Sequence, residues 1–164
     1  MDIMKHNNID HYDDYYIRNI LKRTKSIAIV GLSDRENRPS YFAAKYLKEK
    51  GYNIIPVNPV TKKKTILGKR VFKKLSELKF CPDMVDIFLS QDKIMDCVKE
   101  AIKIKPKTIW LQLGLYNKKA LQIARNNNID FIMNRCPKIE YARLRGEIGW
   151  AGVNSNLISN KKLL

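Results

Sequence analysis

Short apolar runs punctuate this chain, and the polar and mixed stretches between them are long enough for helices. Ile27-Ala28-Ile29-Val30 is the first run. It is continuous rather than alternating, as expected of a strand buried on both faces of a parallel sheet. Asn53-Ile54-Ile55-Pro56-Val57, Met84-Val85-Asp86-Ile87-Phe88, Thr108-Ile109-Trp110-Leu111-Gln112 and Asp130-Phe131-Ile132-Met133 supply four more strands. Between them the pattern predicts helices over 39–50, 91–103 and 118–127. Pro39 suits a first helical turn, Gly51 a helix stop, and Ser90 a helix cap. A short leading helix over 12–22 carries Tyr15, Ile17, Ile20 and Leu21 on its apolar side. Between the second and third strands only a brief extended piece at Arg70-Val71-Phe72 and a short helix near Leu75-Ser76-Glu77-Leu78 stand out. Pro56 removes one amide donor, which a strand tolerates at its end or along an edge.

Strand and helix alternate through five cycles, the order of a parallel sheet covered on both faces. The fold class predicted is α/β, a Rossmann-like doubly wound parallel sheet with strand order 3-2-1-4-5 and a short N-terminal helix. A ligand is then expected outside the carboxyl ends of the strands, where the strand order reverses. The 164 residues suit one domain, with a core over 24–145 and a tail over 146–164. Residues 134–164 show no further strand; Arg145-Gly146-Glu147-Ile148-Gly149-Trp150-Ala151-Gly152 is rich enough in glycine to wrap back on the body, and Lys161-Lys162-Leu163-Leu164 is expected to fray.

A formal net charge of +16, from 32 Lys plus Arg against 16 Asp plus Glu, favours anionic ligands in general. The lysines are scattered, without the interleaved aromatics of a base-stacking platform, so nucleic acid is disfavoured as a partner. No run approaches the roughly 18 apolar residues of a membrane span, and the start of the chain lacks an apolar leader, so the cytoplasm is the expected compartment. Cys81, Cys97 and Cys136 fit neither a disulfide framework nor a zinc site. His6 and His11 precede the first strand, so no histidine base, phosphohistidine or histidine-bound metal is expected in the crevice.

The candidate chemistry lies in the first turn. Gly31 permits a tight exit from the strand; Ser33, Ser40 and the following helix start offer donors to phosphate oxygens, and Arg38 adds a charged donor fork. No further glycine follows as a dinucleotide fingerprint requires. The second strand ends in Val57-Asn58-Pro59 and then Lys62-Lys63-Lys64, with no acid to hold ribose hydroxyls. Neutral and basic groups there favour a ribose carrying a phosphate, as in coenzyme A or, less exclusively, NADP.

Gly31-Leu32-Ser33, Asn37-Arg38-Pro39-Ser40-Tyr41, Gly51-Tyr52, Pro56-Val57-Asn58-Pro59, Val85-Asp86-Ile87-Phe88, Trp110-Leu111-Gln112-Leu113-Gly114 and Asn134-Arg135-Cys136-Pro137-Lys138-Ile139-Glu140 occur in this order. Together with Gly149-Trp150-Ala151-Gly152-Val153-Asn154 they resemble the small stand-alone CoA-binding proteins, which are similar to the CoA-binding domain of the succinyl-CoA synthetase alpha subunit. The resemblance implies a CoA pyrophosphate near Gly31, Ser33, Arg38, Ser40 and Tyr41, and an adenosine bordered by Val57, Asn58 and Pro59. It implies Lys64 as a partner for the ribose phosphate, Phe88 and Leu89 as the far wall, and Gln112 to Gly114 at the end of the next strand. The family commonly carries Arg where this chain has Leu89, and Gly-Glu where it has Gly68-Lys69; loss of that cation weakens CoA binding or alters the ligand.

The resemblance implies binding of CoA or an acyl-CoA without ligase activity, since the synthetase's phosphohistidine and ATP-grasp partner have no counterpart here. Two alternatives stand beside it. Cys136, between Arg135 and Lys138, is a weak candidate nucleophile for an acyl-CoA-processing enzyme. A basic nucleic-acid or protein-binding scaffold is the other. Monomer and homodimer are both compatible with the sequence.

Overall fold

Alternate residues of each central strand point to opposite faces, and both sets are apolar, so the sheet must be covered on both sides. The computed structural model describes residues 10–146 and meets that demand. In chain order it contains α1 (Asp14–Arg23), β1 (Ser26–Val30), α2 (Pro39–Glu49), β2 (Asn53–Val57), β3 (Thr65–Ile66), β4 (Lys69–Arg70) and β5 (Met84–Ile87). There follow α3 (Ile94–Lys103), β6 (Thr108–Leu111), α4 (Lys118–Asn126), β7 (Asp130–Ile132) and α5 (Pro137–Leu144). The glycine-rich tail and His6 lie outside the described residues.

The five principal strands form one parallel sheet in the order β2-β1-β5-β6-β7. Ala28, Val30, Val85, Ile87, Ile109 and Leu111 face α3 and α4. Ile27, Ile29, Met84, Trp110 and Ile132 face the side where α1, α2 and α5 contribute Ile17, Leu47 and Tyr141. Burial of these side chains supplies the main drive to fold, about 1.5 to 3 kcal/mol for each large one.

The doubly wound α/β class is as expected. The third place in the order 3-2-1-4-5 has a different occupant, however. The strand at Met84–Ile87, expected third, pairs directly with β1. The position outside β2 belongs instead to the extended piece at Phe72, which makes a single parallel bridge with Val57. Its neighbours explain why it stays so short: Phe72 N–H donates to Pro56 O and Asn58 N–H to Phe72 O, after which Lys73 turns into the Leu75–Glu77 3-10 turn.

Several local details depart from the sequence pattern. Residues 137–144, read only as lacking a strand, form α5, with Pro137 in its first turn, Glu140 near its start and Arg143 near its end. Each residue is placed to suit the helix dipole and its unpaired termini. Residues 91–103 are not one helix: Gln91–Lys93 is a 3-10 turn ahead of α3, and Ser90 makes no capping hydrogen bond. Its hydroxyl engages the Asp92 carboxylate instead. Leu67 and Gly68, with φ of 52° and 73°, turn the β3–β4 hairpin, a two-residue loop that needs positive φ at both positions.

Candidate functional site

Every principal strand ends on the same side of the sheet, and the chain leaving those ends forms a groove in three joined sections. The widest, about 890 Å³, lies between the ends of β1 and β2 and the α3 side, and is lined by Gly31, Val57, Asn58, Pro59, Phe88 and Leu89 among others. A smaller section of about 350 Å³ shares Gly31, Ser33, Phe88 and Leu89 with it and adds Arg38, Ser40 and Gln112. The third, about 550 Å³, shares Pro39, Phe88, Gln112 and Leu113 with the second and reaches Cys136, Lys138 and Ile139. The volumes are those of small-molecule clefts.

Gly31 sets the floor where the first two sections meet. Its φ is +85°, and a Cβ there would lie 2.2 Å from the Phe88 carbonyl oxygen. Gly31 N–H donates to Val57 O at 2.8 Å, and Phe88 N–H donates to Val30 O at 2.8 Å, so all three strand ends are pinned around a residue without a side chain. The loop beyond is braced internally. Ser33 N–H donates to Ser40 Oγ at 3.0 Å, and Asn58 Nδ2 donates to Leu32 O at 2.8 Å. Asn58 Oδ1 accepts from the Val60 and Thr61 N–H groups, which fixes the turn after β2. Arg38 occupies the N-cap position of α2 without capping it through its side chain.

Most of the residues expected at the site line this groove: Gly31, Ser33, Arg38, Ser40, Val57, Asn58, Pro59, Phe88, Leu89 and Gln112. Three do not. Tyr41 turns along α2 into the core cluster beneath it. Gly114 lies beyond the groove with its N–H on Asn134 Oδ1 at 2.8 Å. Lys64 sits at the base of the β3–β4 hairpin, its carbonyl accepting from Val71 N–H, and does not line the three sections. The basic wall is built instead by Lys73, Lys74, Lys93 and Lys103, against the carboxylates of Asp96 and Glu100. The sequence pattern alone does not single these lysines out as site residues. The available signal was Lys73-Lys74 following the extended piece at Phe72, which the sheet order places outside β2.

Leu89 stands in both of the first two sections, so the position where the family carries a cation is apolar wall here. Lys69, in place of the family's acid, points to Asn53 Oδ1 at 3.3 Å on the hairpin side.

Behind Gln112, which lines the groove's third section, lies an unexpected group. Asp86 lies in the middle of β5, fully buried. Gln112 Nε2 donates to its Oδ1 at 2.5 Å, while Oδ2 has no hydrogen-bond partner. Burial pushes its pKa up to about 7, against the opposing pull of Gln112 and the Ile87 N–H. Cys136 is the N-cap residue of α5. Burial, then the nearby Asp86 charge, raise its pKa, while the Ile139 and Lys138 N–H groups and the Lys138 ammonium act the other way. Cys97, on the opposite side of the groove, is pushed up to about 12 by burial. Cys81 is exposed, and all three thiols are free.

A parallel doubly wound sheet with a cleft at the reversal of strand order defines an α/β nucleotide-cleft protein. Residues 25–142 match the model of the CoA binding domain, and the chain belongs to that family. It is 35% identical over 126 residues to the uncharacterized protein YneT of Bacillus subtilis (strain 168), covering 77% of this chain and 92% of that protein. A hypothetical protein from Pyrococcus horikoshii OT3 superposes with a TM-score of 0.78 at 34% identity, covering 87% of this chain and 99% of that one. A Thermus thermophilus protein of solved structure gives 0.77 at 29% identity, covering 81% and 99%. No helix of the described residues is long and apolar enough to cross a membrane, and no group of His, Cys, Asp or Glu among them could hold a metal ion.

Proposed function

We propose that this protein binds coenzyme A or an acyl-CoA along the groove and has no ligase activity of its own. The observation that carries the proposal is the sequence of surfaces in the groove: a lysine-lined wide section, a narrow turn with Gly31, Arg38 and Ser40, then an apolar section ending at a thiol. Adenosine with its ribose phosphate goes in the wide section, between Val57-Asn58-Pro59 and the lysines. The pyrophosphate takes the turn, where Arg38 and the start of α2 favour negative charge. The pantetheine arm follows Phe88 and Gln112 into the third section.

Lys74 and Lys93, both exposed, are the partners for the ribose phosphate, in place of Lys64. The end of β2 offers Asn58 and no carboxylate, which suits a phosphorylated ribose and disfavours plain NAD. A binding role without ligation is supported by the absence of histidine among the described residues lining the groove. Calorimetric titration of ligand-stripped, reduced protein with CoA, dephospho-CoA and NADP tests the reading. CoA is expected to bind with a Kd in the millimolar range or tighter, and more tightly than dephospho-CoA. Equal affinity for the two would remove the lysines from phosphate recognition, and no binding of CoA would refute the proposal.

A further inference from the structure

The third section of the groove is built differently from the other two. Past the turn of about 350 Å³ the groove widens again to about 550 Å³, and Pro39, Phe42, Ala43, Phe88, Leu113 and Ile139 make most of its lining. Phe42, Leu113 and Ile139 are 52%, 57% and 40% exposed. Single apolar side chains in solvent are ordinary on a protein surface. Here three of the seven large ones exposed among the described residues, from α2, the loop after β6 and α5, surround one opening.

The polar residues of the section do not require a charged occupant. Gln112 Nε2 donates to Asp86 Oδ1, behind the lining. Lys138 holds its ammonium over the Phe42 and Tyr46 rings, 6.0 and 5.7 Å from their centroids. Cys136 is buried, and a buried thiol packs as a small apolar group.

We propose that the third section is the subsite for the acyl chain of a CoA thioester, and that the ligand of this protein is an acyl-CoA with an uncharged aliphatic chain rather than free CoA. This rests on the CoA-binding reading. The section continues the groove through Pro39, Phe88, Gln112 and Leu113, so a pantetheine arm that has passed the turn delivers the thioester beside Gln112 and the chain toward Phe42 and Ile139. A CoA ending there in its own thiol would leave the apolar walls to water, whereas a chain laid against them removes that surface from solvent. A terminal carboxylate in the same place would give up its hydration among apolar side chains. Adenosine and pyrophosphate are the same in every acyl-CoA, so the chain alone decides among them.

Calorimetric titration of reduced full-length protein with CoA, acetyl-CoA, butanoyl-CoA and hexanoyl-CoA tests this, with adipoyl-CoA as the charged match to hexanoyl-CoA in chain length. A fully buried methylene is worth about fourfold in Kd, so a section half open to solvent should give about twofold for each, and roughly 15-fold from acetyl-CoA to hexanoyl-CoA. Adipoyl-CoA is expected to bind at least about tenfold more weakly than hexanoyl-CoA. Phe42→Ser combined with Ile139→Ser should bring the acetyl-to-hexanoyl ratio below about fourfold. Tyr15→Ser, which removes an exposed ring outside the groove, should keep the wild-type ratio. Acetyl-CoA and hexanoyl-CoA binding within about twofold of each other, or adipoyl-CoA binding as tightly as hexanoyl-CoA, overturns the inference, and if CoA itself binds the CoA-binding reading stands. If neither CoA nor any thioester binds, both fall. A flat series together with a dimer that Phe42→Ser dissociates in analytical ultracentrifugation also overturns it, and gives the apolar opening to a second copy of this chain.

Discussion

Replacing Gly31 with alanine tests whether the groove floor is set by the packing of three strand ends. The added Cβ would sit 2.2 Å from the Phe88 oxygen, 3.0 Å from its carbonyl carbon and 3.1 Å from Leu89 Cδ2. The carbonyl would have to retreat by about 1.2 Å to restore the 3.4 Å of ordinary contact. It cannot do so freely, because the Phe88 N–H and Gly31 N–H bonds tie the same backbone to β1 and β2. Holding an L-residue at positive φ costs about 1–2 kcal/mol, and losing one of these backbone bonds costs about 1 kcal/mol more. Residual compression brings the expected destabilisation to about 3–4 kcal/mol, large yet survivable for a domain of ordinary stability. Gly114→Ala is the matched control: φ is +79°, but nothing lies within 4 Å of the new Cβ, so only the backbone cost remains. Urea unfolding of both variants gives the difference, and calorimetry with CoA should show at least a tenfold loss of affinity for Gly31→Ala. If the two variants are destabilised within about 0.5 kcal/mol of each other, the close approach to Phe88 is not what demands glycine, and the reasoning fails.

Arg38→Ala is expected to weaken CoA binding about tenfold, the worth of a charge-assisted hydrogen bond; unchanged affinity by calorimetry would take Arg38 out of the site. Lys74→Ala combined with Lys93→Ala should narrow the preference for CoA over dephospho-CoA, whereas Lys64→Ala should leave it intact, as measured by competition titration. Asp86, whose folded pKa is raised to about 7 from 3.8, binds its proton more tightly in the folded chain than in the unfolded one. Stability should therefore fall as pH rises from about 4 to 7, and Asp86→Asn should be more stable relative to wild type at pH 8 than at pH 4; a difference independent of pH would contradict the burial argument. Asp13→Ala removes the carboxylate that accepts the Tyr16 N–H at 2.7 Å ahead of α1, at an expected cost of about 1 kcal/mol in thermal or urea unfolding.

The sequence was legible where one physical demand dominates a segment. Both faces of the sheet are buried, so its strands read as continuous apolar runs, and β1 and β2 fall where the pattern puts them. The helix over 137–144 was hidden because its buried side rests on Tyr141, Ala142 and the paired Glu140 rather than on an aliphatic stripe. Its signal was the local grammar of Pro137, Glu140 and Arg143. The basic wall could not be read from the lysines alone. Lys62, Lys63 and Lys64 follow β2 directly in sequence, yet none of them lines the groove's wide section, while Lys73 and Lys74 return beside β2 through the Phe72 bridge. Proximity along the chain was a poor guide across a loop that closes on itself.

Asp86 shows what a sequence pattern can reveal when its exceptions are weighed. Val85-Asp86-Ile87 reads as a strand whichever letter stands in the middle, because its neighbours decide the element. A carboxylate at the centre of a strand buried on both faces has no solvent on either side, so it must find a partner or hold a proton. Gln112, two residues beyond Trp110, which lies in register with Asp86, supplies one partner. The other oxygen has no hydrogen-bond partner, and α5 begins with a thiol rather than the usual serine, threonine or aspartate cap. Each residue taken separately has a structural explanation: a buried acid, a buried amide, an incidental cysteine. Two of them, Gln112 at the end of β6 and Cys136 at the start of α5, line the same section of the groove, and Gln112 ties that lining to the buried acid behind it.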